Sequence, residues 1–378
     1  MFANFMERLS GWIRPRKRPV RRTERSGVRS SAPGPGATDH RAAASGDSLR
    51  RMPTSSASGA VRSDDPSLVF TPDIDDAVAP GLEVVSTREE LRRRTQDLEA
   101  FFRSAAGRTD LKMFLDTLRR PASSVIRQPP LAAQAVLAVC RRRNYNLREL
   151  TRLLERDPAM SQALLRHSNS AFYATPGAQP ILGIGAAVQR VGTKGVHATV
   201  MSRIIQGELS RPGLGYDQPA RMVWEHMIRT APLARRLGRA YGADPEEAFT
   251  LGLLHDVGKL VFFDRIADLR KRKRRDIVLP RKFLSVALAC LHEPLGGLAA
   301  LEWGLDERSA TIIATHHRSP PPRPDDMLSQ AIHLAERIDL AAQRGETLDL
   351  DEIWRESALT APRAPVEAIL EEAEEEAA

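Results

Sequence analysis

A chain of 378 residues, 42% of them hydrophobic, suits one large domain with extensions, or two domains, around a sizeable core. Its net charge of +8 sits in residues 1–62, which hold 13 Lys+Arg against 4 Asp+Glu; the remaining 43 against 44 leave a near-neutral body, which argues against specific nucleic-acid binding. Cys140 and Cys290 are the only cysteines, which excludes a disulfide framework and a cysteine-based zinc site and fits a reducing cytosol.

Phe2, Phe5, Met6, Leu9, Trp12 and Ile13 recur at near-helical spacing, and Arg14, Arg16, Lys17, Arg18, Arg21 and Arg22 follow them. An apolar stripe beside a basic run suits an anionic membrane surface or a partner helix. Gly11 and Pro15 limit such a helix, and a frayed tail stays open as a third reading. Residues 26–80 are rich in Ser, Ala, Gly, Pro and Asp. They carry too little apolar surface to offset their conformational entropy, so residues 1–85 are expected to be a disordered basic extension. Ser86 or Thr87 with Glu89 and Glu90 resembles a capping box, and Leu91, Leu98, Phe101 and Phe102 then give a helical stripe. Residues 86–120 are thus a helical lead-in.

Further helix starts punctuate the chain. Asn146 pairs with Glu149; Asp157-Pro158 and Asp244-Pro245 combine an N-cap with proline at the first helical position; Asp306 caps the segment ending in His316-His317. No run alternates with strand periodicity. The expected fold class is all-α, with one domain over 121–345 and an acidic, helical, solvated tail over 346–378. No apolar run approaches the roughly 20 residues needed to cross a bilayer, and no signal-peptide core follows the N-terminus. The expected location is the cytoplasm, peripheral to the inner membrane if residues 1–22 bind lipid.

Phe249-Thr250-Leu251-Gly252-Leu253-Leu254 leads into His255-Asp256. Adjacent helical side chains point about 100° apart, so both can contact one ion between them. Imidazole with carboxylate suits a divalent metal such as Mn, Fe or Mg. Gly258 ends the turn, and Lys259 is placed to meet a phosphate. His226, His292 and His316 each lie on an apolar helical face, where an unpaired imidazole is costly, and Glu336 lies on another. A single histidine on such a face is more often a hydrogen-bonded core residue; four of them, one beside an aspartate, favour a ligand set.

The order His226, His255-Asp256, His292, His316-His317 resembles the HD superfamily of metal-dependent phosphohydrolases. The segment Leu153-Leu154-Glu155-Arg156-Asp157-Pro158, continuing through Leu164-Leu165-Arg166 to Asn169-Ser170-Ala171-Phe172-Tyr173, is similar to the signature of HDOD domains. Gln128-Pro129-Pro130 and Ala187-Val188-Gln189-Arg190-Val191-Gly192 accompany it, and Trp303-Gly304-Leu305 belongs to a second lobe. The resemblance spans about 121–320. It implies a two-lobed helical module of bacterial signal transduction, usually non-catalytic, acting through protein partners or a bound nucleotide. The alternative is an HD-type phosphohydrolase acting on a nucleotide or cyclic dinucleotide. In that case His226, His255, Asp256, His292 and His316 hold metal and Lys259 stabilises phosphate charge. Two departures stand out: Glu336 occupies the place of the superfamily's last aspartate, and Arg318-Ser319-Pro320 replaces the Gly-Tyr-Pro motif of cyclic-di-GMP phosphodiesterases.

Three remaining stretches read as structural. Asn169-Ser170 ends a helix through local backbone bonds. Arg270-Lys271-Arg272-Lys273-Arg274-Arg275 is a solvated loop or helix end without interleaved aromatics for base stacking. Gly192-Thr193-Lys194-Gly195 lacks phosphate-loop spacing and is a turn between helices.

Overall fold

The computed structural model describes residues 87–103, 108–142, 144–173, 179–209, 216–274, 277, 279–318 and 325–375. The basic N-terminal extension, with its membrane-binding expectation, lies outside them. Every regular element among the described residues is helical.

Short side-chain acceptors set the helix starts, as expected. Asn146 Oδ1 accepts from Arg148 N at 2.9 Å, Asp157 Oδ1 from Ala159 N at 2.9 Å, and Asp244 Oδ1 from Glu246 N at 2.9 Å. Each satisfies an amide that a helix end would otherwise orphan. Three glutamates of the expected capping boxes pair with nearby cations instead. Glu90 accepts from Arg93 and Arg94, Glu149 from Arg142, and Glu247 from Lys194 and Arg308.

Two lead-in helices, α1 (Thr87–Phe101) and α2 (Arg108–Leu118), are followed by the short α3 (Ala122–Val125). The first lobe continues with α4 (Leu131–Cys140), α5 (Leu147–Glu155), α6 (Pro158–Ser168) and α7 (Ile184–Ile204). The second comprises α8 (Asp217–Ala240), α9 (Pro245–Leu254), α10 (Val257–Lys273), α11 (Arg281–Glu302), α12 (Glu307–Ile313) and α13 (Met327–Arg344). Two shorter helices, α14 (Leu350–Glu356) and α15 (Ala364–Glu375), close the chain. In the second lobe α8 packs on α9 and α13, and α10 on α11.

The lead-in helices share the second lobe's core. Phe114 of α2 meets Phe262 of α10 edge-to-face at 5.0 Å, and Phe102 meets Phe283 of α11 at 5.3 Å. A fully buried ring of this kind contributes roughly 2 kcal/mol through burial. The acidic tail is likewise not merely solvated. Val366, Ile369 and Ala373 are buried at helical spacing, and Arg236 of α8 pairs with Glu372. Its apolar stripe outweighs the unfavourable dipole of its glutamates. By length and composition alone α11 could cross a membrane, but 72% of its apolar window is buried inside the protein, as a core helix would be.

The structural stretches also find their places. Gly192, at φ 69°, kinks α7, a backbone setting that suits glycine. Arg270–Lys273 form the last turn of α10. Asn169 does end α6, but its amide reaches Ile181 in both directions at 2.8 Å, so it pins the chain 12 residues on rather than bonding locally.

The lobes meet at His167. Its Nδ1–H donates to Thr199 Oγ1 at 2.6 Å, and Arg235 of α8 donates to its Nε2 at 3.0 Å. Burial, with Arg235 beside it, lowers the imidazole to about 3. His167 therefore stays neutral when folded and would protonate near 6.5 when unfolded. Its contribution is complete above pH 6.5 and is lost as pH falls toward 3, by up to about 1.4 kcal/mol per pH unit. Urea midpoints between pH 7 and 4 are expected to fall less steeply in H167Q than in the wild type; equal slopes would refute this.

Candidate metal centre

The centre is built at a corner. His255 closes α9, and Asp256, at φ −101° and ψ 8°, breaks the helical path before α10. Both side chains thereby enter the space between α8, α11 and α13. His226 comes from α8, His292 from α11, Glu336 from α13, and His316-His317 follow α12. Asp256 and the histidines 226, 255, 292 and 316 are each at most 3% exposed.

Each of these four imidazoles is tied at Nδ1. His255 donates to Gly252 O at 2.8 Å, His292 to Leu288 O at 2.9 Å, and His316 to Ile313 O at 2.7 Å. His226 donates to Asp339 Oδ2 at 2.6 Å. A ring donating from Nδ1 presents a bare lone pair at Nε2, the orientation that outer partners give metal-ligating histidines. All four Nε2 atoms converge on Asp256. Those of His226 and His255 lie 3.6 and 3.7 Å from its Oδ2, and those of His292 and His316 lie 3.8 and 3.7 Å from its Oδ1.

The donors form two groups that share Asp256: His226, His255, Asp256 and Glu336, and Asp256, His292, His316 and His317. Within each, one donor atom per residue lies within 4.8 Å of the others. The Nε2 atoms of His226 and His255 are only 3.0 Å apart. In neutral rings donating from Nδ1, neither has a proton to give the other, so two lone pairs face each other. That spacing is what two nitrogens about 2.1 Å from one cation at a right angle would show. His292 Nε2, His316 Nε2 and Asp256 Oδ1 are buried with no hydrogen-bond partner. Orphaned buried polar atoms are costly, and a divalent cation satisfies all three. The donor set therefore fits metal on both sides of Asp256.

The electrostatics agree. Burial alone would raise the Asp256 carboxyl, but Lys259, His255, His316 and His292 hold it well below the usual range. Burial lowers His255 to about 3 and takes His292 and His317 well below their ordinary value, which keeps these ligands neutral. Burial opposes charge on His316 too, yet Asp256, Glu336 and Glu293 push it up to about 9. Positive charge is most favoured at that point of the core. Burial raises the Glu336 carboxyl.

Every residue proposed from the sequence lies in or beside this cluster. Glu336 belongs to the His226–His255 group, and its carboxylate is also 3.5 Å from His317 Nδ1. Lys259 reaches back one turn to Asp256 Oδ2 at 2.7 Å and is 14% exposed. Gly258 does not end the turn; it begins α10 against α11, where an added Cβ would stand 1.8 Å from His292 O. Sequence reasoning passed over His317 as a separate donor, and over Asp339, which fixes the His226 ring. Asp339 is three residues beyond Glu336 on α13, and that helical spacing was the available signal. Loss of such an outer partner typically costs 10–100-fold in metal affinity. Asp339→Asn is accordingly expected to weaken manganese binding by about that factor, measured by calorimetric titration; wild-type affinity would contradict the role assigned to Asp339.

An all-helical fold that gathers histidines from four segments around a His-Asp corner defines an HD-type helical domain. The HDOD domain family matches over residues 126–319, and the chain belongs to that family. Two solved structures with TM-scores above 0.5 share the fold at low identity, and a third is similar over much of its length. A Marinobacter aquaeolei VT8 protein, provisionally named a signal transduction protein, is 18% identical with a TM-score of 0.53; the match covers 80% of this chain and 66% of that one. A Shewanella amazonensis SB2B protein, provisionally named a metal-dependent phosphohydrolase, is 16% identical with a TM-score of 0.52, covering 76% of this chain and 100% of that one. A Geobacter sulfurreducens HDOD domain protein of unknown function is 17% identical with a TM-score of 0.49, covering 74% and 96%. No curated protein matches the sequence.

Proposed function

We propose that this chain is a signal-transduction protein whose HDOD domain retains a two-metal centre and uses it to hydrolyse a phosphate ester. The observation that carries the reading is the pairing of imidazole Nε2 atoms across Asp256, two facing each carboxylate oxygen. Metal ions so held would supply Lewis-acid stabilisation of a phosphoryl group. Each residue then has a task. His226, His255 and Glu336 would hold one ion, His292, His316 and His317 the other, and Asp256 would serve both. Lys259, beside the bridge and partly open to solvent, stabilises negative charge on the phosphate. The near-complete burial of His226, His255, Asp256, His292, His316 and Glu336 keeps water from competing for them, while His317 is about a third exposed.

A second reading has its own support. The Lys259 ammonium already occupies Asp256 Oδ2, and every donor but His317 lies deep in the core. In that reading the metal locks the second lobe, and the domain signals through protein partners without turnover. One experiment separates the two. Purified protein is analysed for bound metal, then assayed on a phosphomonoester and a phosphodiester with manganese. Two ions and turnover support the hydrolase. Two ions without turnover leave the metal-locked regulator. Metal-free protein that takes up no manganese refutes both.

A further inference from the structure

The lead-in helix α1 lies outside the residues matched by the family, yet it reaches the metal centre. Its Arg94 is 91% buried, which is costly for a guanidinium unless it is paired. The pairing is specific. Arg94 Nη1 donates to Cys290 O at 2.7 Å and lies 3.4 Å from Glu293 Oε2, while its Nε donates to Glu90 Oε1 at 2.6 Å. The two α11 contacts flank His292.

Pro294 explains the first. Proline has no N–H, so the carbonyl four residues earlier, that of Cys290, loses its helical donor. Arg94 supplies a donor to that carbonyl. The break falls within the turn that carries His292, so without Arg94 the helix would be under-bonded beside a metal donor. Glu293 explains the second. Its Oε1 accepts the backbone N–H of His317 at 3.2 Å, and its Oε2 faces Arg94. One carboxylate thus connects α1 to the segment that presents His316 and His317. The seat is close: a Cβ on Gly297 of α11 would stand 2.9 Å from the Thr87 methyl and 2.8 Å from the Ala314 Cβ.

We propose that Arg94 is a positioning residue of the metal centre, through which α1 clamps the half of the cluster formed by His292, His316 and His317. This rests on the two-metal reading given above. Arg94 touches no donor atom of the cluster; it acts through the Cys290 carbonyl and Glu293. Among the described residues, the half formed by His226, His255 and Glu336 has no contact with α1 of this kind, so the clamp acts on one position only.

Manganese titration of the full chain, followed by calorimetry with the ion count checked by elemental analysis, tests the assignment. The wild type is expected to take up two ions. Arg94→Met, of similar length but uncharged, is expected to weaken one of the two by about 10–100-fold and leave the other unchanged. Arg94→Lys, which keeps one donor and the charge, is expected to recover part of the loss. If R94M does not fold, Glu293→Gln decides, since it leaves Arg94 on the Cys290 carbonyl and loosens only the link to His317. Two unaltered sites in whichever of R94M and E293Q folds would overturn the clamp while the two-metal reading stands. Equal weakening of both sites would also overturn it. A wild type that binds no manganese would defeat the two-metal reading, and the clamp with it.

Discussion

Asp256→Ala is expected to empty both metal positions at once. Asp256 is the one residue shared by the two donor groups, and each of its oxygens faces two imidazole nitrogens. Alanine leaves two sets of donors with no carboxylate shared between them. Elemental analysis should then find no bound ion, against the two that the proposed centre would hold in the wild type. Stability should follow, because an ion that binds only the folded state contributes about 2.7 kcal/mol per site at a hundredfold excess over its dissociation constant. Melting of the wild type should therefore fall on chelation, and that of D256A should not respond to chelator. If the centre hydrolyses phosphate esters, loss of several kcal/mol of transition-state stabilisation predicts a fall in turnover of about a thousandfold or more. D256A with two bound ions would defeat the bridge, and undiminished turnover would place the hydrolysis away from Asp256.

What the sequence disclosed and what it withheld divide along physical lines. Helix starts were legible, because an N-cap is a local device: Asn146, Asp157, Asp244 and Asp306 each accept from amides two or three residues away. The direction of His226, His255, His292 and His316 was legible from helical spacing, since a histidine on an apolar stripe must face the core. Partners set by other segments were not. Glu149 and Glu247 have capping-box spacing but bind arginine or lysine brought near by the fold. Asp339 looks like any polar residue of α13 until His226, 113 residues earlier, is laid against it. The tail reads as acidic because Glu371, Glu372, Glu374, Glu375 and Glu376 crowd its end, yet Val366, Ile369 and Ala373 decide where it sits. Gly258 misled because the sequence shows its missing side chain but not the neighbouring helix that requires it.

Gly258→Ala is expected to cost about 3 kcal/mol or more, among the larger effects of any single methyl in this protein. The added carbon would stand 1.8 Å from His292 O, 2.7 Å from His292 C and 2.6 Å from Gly296 N. All three are backbone atoms of α11, so no side chain can swing aside to make room. Gly296 is itself closely packed, with an added Cβ 3.6 Å from His255 O and 2.9 Å from an Ile313 methyl. Relief therefore requires α10 and α11 to part, and that movement separates Asp256 from His292. The same closeness that brings a helix start beside the helix carrying His292 leaves no space for a methyl. Denaturant unfolding should show a lower midpoint, and manganese titration should show weaker binding at the His292 position even in the fraction that remains folded. The contrast with Arg94→Met is informative: that variant loosens one position while Asp256 keeps its place, whereas G258A displaces the bridge relative to His292. A G258A protein as stable as the wild type, with two intact sites, would mean that α10 and α11 do not meet as closely as His292 O and Gly258 do here.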